Sequence, residues 1–115
     1  MRYYEDGPIA QGDMLIRMID SLPIDVIKQS PQDGVYVLTH SESGHHHVVK
    51  ATGSIEFFQH EKNNLLAYMV VKKGHPVVKH LRAFDTHEPY KLKPGVYEIR
   101  RQIESSPEGF RRAID

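Results

Sequence analysis

Apolar and polar side chains alternate with a period of two along this chain, in runs of strand length. Val35, Val37 and Thr39 oppose Tyr36, Leu38 and His40, while Val96, Glu98, Arg100 and Gln102 oppose Tyr97, Ile99, Arg101 and Ile103. Successive side chains of a strand leave on opposite faces, so the second set presents a polar face and a mostly apolar one. Further runs rich in Val, Ile, Tyr and Phe occupy residues 14–19, 46–51, 55–58, 65–72, 77–84 and 110–114. Gly and Pro fall between them, as in Pro31 to Gly34, Gly74 to Pro76 and Pro94-Gly95, at intervals that leave little room for a long helix. The pattern predicts an all-β fold, a small antiparallel barrel or compact sandwich of eight or nine short strands, as a single β domain over residues 1–115. At most one short helix is expected, a turn at 24–29 between Pro23 and Pro31.

Turn chemistry proposes which runs are neighbours. Ser41-Glu42-Ser43-Gly44 joins 35–40 to a strand beginning at His45, and its glycine can supply a positive φ. That hairpin sets His40 across from His45. A second hairpin joins 96–103 to 110–114 through Ser105 to Gly109, and Ala51-Thr52-Gly53-Ser54 closes a third turn.

Composition narrows the function classes. The 115 residues carry 15 basic and 15 acidic side chains, so no net field draws the chain to nucleic acid or to an anionic membrane. Nucleic acid is therefore disfavoured as a partner, and a small anionic ligand would need local charge. Absence of cysteine excludes disulfides and thiolate metal sites and agrees with a reducing cytoplasm. The opening segment, Met1 to Asp6, has no apolar core of the signal-peptide kind, and the longest apolar run, Leu65 to Val71, is too short to span a bilayer. A cytoplasmic protein with no membrane partner is expected. Open strand edges would permit a homo-oligomer.

Candidate chemistry centres on eight histidines, three of them consecutive at His45-His46-His47. In a strand His45 and His47 share a face, and neutral imidazoles at that spacing suit a divalent transition metal such as zinc, nickel or iron. His80 and His87 form a second group, with Asp85 or Glu88 able to add a carboxylate. The metal-ligand set expected is thus His45 and His47 with His80 or His87. The same rings would equally suit a hydrated strand face, or burial with hydrogen bonds to backbone carbonyls. The layout is similar to that of cupins, but Glu56 comes too late after the His-x-His pair to fit their pattern. Arg100-Arg101-Gln102-Ile103-Glu104 and Arg111-Arg112 could form a basic strip for phosphate or carboxylate, or a salt-bridge ladder with Glu98, Glu104 and Glu108.

Gln11-Gly12-Asp13, Gly44-His45-His46-His47, Thr86-His87-Glu88-Pro89 and the stretch from Pro94-Gly95-Val96-Tyr97 to Arg101-Gln102 together resemble a family of small uncharacterised bacterial and phage proteins. The resemblance covers nearly the whole chain and implies that His45, His47 and His87 are family positions, while Arg101-Gln102-Ile103-Glu104-Ser105 departs from the Arg-Gln-Arg-Glu-Tyr expected there; Arg101, Gln102 and Glu104 are ligand-binding candidates from the basic segment itself. It implies no activity. Three functions are compatible with these residues: a metal-binding protein, a binding or adaptor module that takes a nucleotide or other anion through His and Arg, and a small hydrolase using metal-activated water with Glu42 or Glu104 as general base.

Overall fold

The computed structural model describes residues 2–4, 7–11, 14–39, 46–81, 89–101, 103–106 and 109–112, with the backbone alone at strand positions 2, 3, 11, 46, 80, 81, 103–106 and 109–112. Thirteen strands form among these residues and no helix does: β1 Arg2–Tyr3, β2 Ile9–Gln11, β3 Met14–Ile19, β4 Val26–Gln29, β5 Val35–Thr39, β6 His46–Lys50, β7 Ile55–His60, β8 Leu66–Val71, β9 Val77–Leu81, β10 Tyr90–Lys91, β11 Gly95–Arg101, β12 Ile103–Ser106 and β13 Gly109–Arg112. One sheet has the order β1-β10-β9-β6-β5 and the other β2-β3-β11-β8-β7-β4, while β12 and β13 pair only with each other. All pairings are antiparallel except β1 with β10. The all-β expectation holds, as a sandwich of two sheets and not a closed barrel.

One apolar core lies between the sheets. The five-stranded sheet contributes Tyr36, Leu38, Val49 and Val78, and the six-stranded sheet contributes Met14, Ile16, Ile55, Phe57, Met69, Val71, Tyr97 and Ile99. Alternation explains the choice: Tyr97 and Ile99 are fully buried, whereas Glu98 between them faces the other way and takes Arg17 Nε at 3.0 Å and Arg100 Nη2 at 3.5 Å. Aromatic contacts cross the layers. Tyr36 of β5 meets Phe57 of β7 with ring centroids 5.7 Å apart, and Tyr4 packs edge-on against Tyr97 at 5.2 Å. The Tyr4 hydroxyl also accepts a hydrogen bond from the Met18 amide at 2.8 Å, which fastens the start of the chain to β3.

Three expectations need correction. Residues 24–29 do not make a helical turn: Val26–Gln29 is an edge strand on β7, with Ile24 fully exposed and Ile27 half exposed, so apolar residues there report no buried helical stripe. The run 96–103 does not pair with 110–114 as one long hairpin. Strand β11 lies between β3 and β8 in the larger sheet, and the C-terminal hairpin is the shorter pair β12 and β13, with Glu104 opposite Arg111. Finally, Thr39 does not share a face with Val35 and Val37. The ladder between β5 and β6 runs Val35↔Lys50, Tyr36↔Val49, Val37↔Val48 and then Thr39↔His47, so Leu38 has no counterpart. A bulge of this kind reverses the facing of everything beyond it. Leu38 and Thr39 are accordingly both buried.

Candidate functional site

The bulge decides what stands at the end of the core. Past it, Thr39 is the register partner of His47, and His47 has the parity of the core residue Val49. The His47 side chain is fully buried, and among the described residues Thr39 and Glu98 are the other polar or charged residues that are largely buried. On its other side His47 is the register partner of His80 in β9. Thr39, His47 and His80 therefore occupy one row across three neighbouring strands.

The other expected site residues fall as follows. His45, His87 and Gln102 lie outside the described residues, as do His40, Glu42, Asp85 and Glu88. Arg101 ends β11, and Glu104 stands on β12 with its backbone described. Among the described residues no group of three or more His, Cys, Asp or Glu side chains is gathered as a metal would require. Two histidines with no assigned role serve local structure. His60 Nδ1 accepts from the amides of Lys62 and Asn63 at 3.1 and 3.0 Å, with Nε2 3.1 Å from Asp25, and the His75 ring is 3.0 Å from the Leu92 carbonyl.

Beside the row lies a cleft of about 320 Å³ between edge strand β5 and the six-stranded sheet. It runs along β5 from Val35 to Thr39, with Phe57, Leu66 and Ala67 opposite, amides of Gln29, Gln32, Gln59 and Asn64 around it, and Arg101 in its wall. Arg101 reaches this place by the alternation that buries Tyr97 and Ile99, being the next residue of that face, and its amide is fixed by the Leu65 carbonyl at 2.9 Å. The Thr39 hydroxyl is buried with no hydrogen-bond partner among the described residues. Thr39 is the residue that sequence reasoning missed, because unbroken alternation assigns it to the opposite face. A wider groove of about 1020 Å³ is lined by Val35, Val48 and Val77 with Lys50, Lys73 and Lys79.

Two tyrosines of the larger sheet titrate away from their ordinary range. Burial pushes the Tyr97 hydroxyl up to about 12, against the opposing effect of its bond to the Lys93 backbone. Burial, helped by the Glu98 charge, also raises Tyr68. Neither supplies an acid or base near neutrality.

A family model described as a domain of unknown function, DUF8820, matches residues 10–102. The chain belongs to that family. The match covers the row, the cleft and both sheets apart from β1 and the first residue of β2, it stops before the C-terminal hairpin, and the DUF8820 description names no reaction. No curated protein and no solved structure matches the chain. Among the described residues no helix is long and apolar enough to cross a membrane.

Proposed function

We propose that this DUF8820 protein binds a divalent transition metal (zinc, nickel or iron) at a histidine centre built on His47 and His80, completed by His45 and His87. The supporting observation is the register of β6 and β9, in which His47 and His80 are direct partners. Directly opposed residues of an antiparallel ladder share a face with Cβ atoms about 4.5–5.5 Å apart. That is a separation at which two imidazoles can share one ion. Sequence spacing adds His45, two positions before His47 and of the same parity, and His87 beyond β9. The ion would be held by neutral nitrogen ligands, which favour zinc, nickel and iron over magnesium or calcium. The reading includes a cytoplasmic site of action, with which the cysteine-free composition agrees. A hydrolase with metal-activated water would need an open coordination position and a general base as well.

Elemental analysis and zinc titration of tag-free protein test the proposal. One equivalent of metal in the wild type, with affinity at least tenfold lower in His80→Gln and His47→Gln, is the expected result. Unchanged zinc affinity in both variants, or no saturable binding of zinc, nickel or ferrous iron, would refute it.

A further inference from the structure

We propose that the groove on the outer face of the five-stranded sheet binds a single-chain anionic amphiphile, with its head on Lys50, Lys73 and Lys79 and its alkyl chain on Val35, Val48 and Val77. Where one face of an antiparallel sheet meets solvent, apolar and polar residues alternate along its strands. Here Val35-Tyr36-Val37-Leu38, Val48-Val49 and Val77-Val78 are apolar at consecutive positions, so both faces are apolar. Tyr36, Leu38, Val49 and Val78 belong to the core between the sheets. The remaining valines lie on the opposite face, where Val37 is the register partner of Val48, and Val48 that of Lys79. Val35, Val37 and Val77 are only half-buried there. Val49 and Ile55 of the core also border the groove and add apolar wall.

Charge around the groove is the second, independent observation. Lys50 is the register partner of Val35 and Lys79 that of Val48, Lys73 comes from the loop between β8 and β9, and Asp33 is the one carboxylate of the lining. All three lysines are exposed, and among the described residues none of their ammonium groups has an ion pair or a hydrogen bond, unlike Lys28 and Lys72, which share Glu56. Three cations against one carboxylate leave a local excess of positive charge in a chain whose net charge is zero. Lysine methylenes also cover apolar surface while the ammonium stays in water, so the stems extend the floor that the valines make. An apolar floor under a cationic rim complements an apolar chain with an anionic head.

Two other occupants fit less well. Strand β6 lies between β5 and β9, so its backbone groups are paired on both sides, and a peptide laid on this face would lose water from its own amides without gaining partners. An alkyl chain carries no such cost. A bilayer is flat, whereas this groove is concave, and its volume of about 1020 Å³ lies at the upper end of the range for small-molecule sites. The balanced charge of the chain also gives no long-range attraction to an anionic membrane. The groove is distinct from the histidine centre, because His47 has the parity of Val49 and so belongs to the other face of β6.

The test titrates chelator-treated, full-length protein with sodium dodecanoate and with dodecyl phosphate, both below their micellar concentrations, and follows it by ¹H–¹⁵N NMR. Chelation keeps the result independent of metal binding. Saturable shifts are expected at the amides of Val48, Lys50, Lys73 and Lys79, and the tighter of the two ligands identifies the head as carboxylate or phosphate. Each fully buried methylene strengthens binding roughly fourfold, so octanoate should bind at least tenfold more weakly than dodecanoate. The combined variant Lys50→Gln, Lys73→Gln and Lys79→Gln should bind both anions at least tenfold more weakly at an unchanged melting temperature. Lys62→Gln, in the turn between β7 and β8, should bind like the wild type. The proposal is overturned if neither anion gives a saturable shift at concentrations on the order of 1 mM. It is also overturned if dodecyltrimethylammonium shifts the same amides as strongly, or if the combined variant binds like the wild type. Binding to phosphatidylserine vesicles without binding of the free amphiphiles would overturn it too, and would assign the face to a membrane.

Discussion

Replacing Tyr97 with phenylalanine removes one oxygen from the middle of the larger sheet and tests how β11 is held. Tyr97 is fully buried, and its hydroxyl both donates to the Lys93 carbonyl at 2.6 Å and accepts from the Lys93 amide at 3.0 Å. The ring packs against Tyr4 and fills the same volume without the oxygen, so the loss falls on hydrogen bonding and leaves the packing unchanged. Two backbone groups of Lys93 lose their partner, at about 1–3 kcal/mol for a buried group left unsatisfied, and water at the half-buried Lys93 recovers part of that. A net loss of about 2 kcal/mol follows, and at about 4 °C per kcal/mol for a domain of this size the melting temperature should fall by about 8 °C. The substitution has a second signature in alkali. Because folding raises the hydroxyl from an ordinary value of 10.0 to about 12, the unfolded chain loses this proton first as pH rises. Stability from Tyr97 is thus complete below pH 10 and lost between 10 and about 12, by at most about 2.7 kcal/mol. Thermal unfolding followed by circular dichroism at pH 7 and through this alkaline window measures both effects. Tyr97→Phe should be less stable than wild type at pH 7, and the gap should narrow above pH 10. A shift under about 2 °C at neutral pH, or parallel alkaline profiles for the two proteins, would refute the reasoning.

Other predictions rest on different parts of the fold. Thr39→Val replaces an unpartnered buried hydroxyl with a methyl of the same shape and should raise stability by about 1 kcal/mol, read as a higher urea midpoint at unchanged slope. Gly95→Ala forces an L residue to φ +154° with its Cβ 2.7 Å from the Met18 terminal methyl, and should destabilise by about 1–3 kcal/mol in the same assay. Glu56 is held below its ordinary carboxylate range first by the hydrogen bond from Lys28, with the Lys28 and Lys72 charges adding to it against the cost of burial. The stability it contributes is present above pH 4.5 and lost as pH falls through its depressed value, so wild type and Glu56→Gln should differ most near neutrality and converge in acid.

Much of the sheet framework was legible because burial on one face leaves a period-two trace. Met14–Ile19 is a strand with the predicted bounds, and the strands at 35–39, 46–50 and 66–71 differ from expectation by a residue or two at their ends. Arg101 was legible too, as a charged residue following Tyr97 and Ile99 on an apolar face. What the pattern could not carry was anything set by non-local register. Alternation within 77–84 says nothing of which strand lies beside it, so the pairing of His80 with His47 follows only from the register of β9 on β6. The bulge at Leu38 is invisible to a rule that assumes unbroken alternation, and it is this bulge that buries Thr39 beside His47. Strands of two residues, such as β1 and β10, are too short for any periodicity. On β4, exposed Ile24 and Ile27 gave an apolar signal with no burial behind it.

X-ray absorption at the zinc edge of tag-free protein loaded with one equivalent of zinc addresses the histidine centre most directly. The account predicts nitrogen ligands at about 2.0–2.1 Å with outer-shell scattering from at least two imidazole rings, and loss of one ring's contribution in His80→Gln. Coordination by oxygen alone, or a spectrum that His47→Gln and His80→Gln leave unchanged, would contradict it.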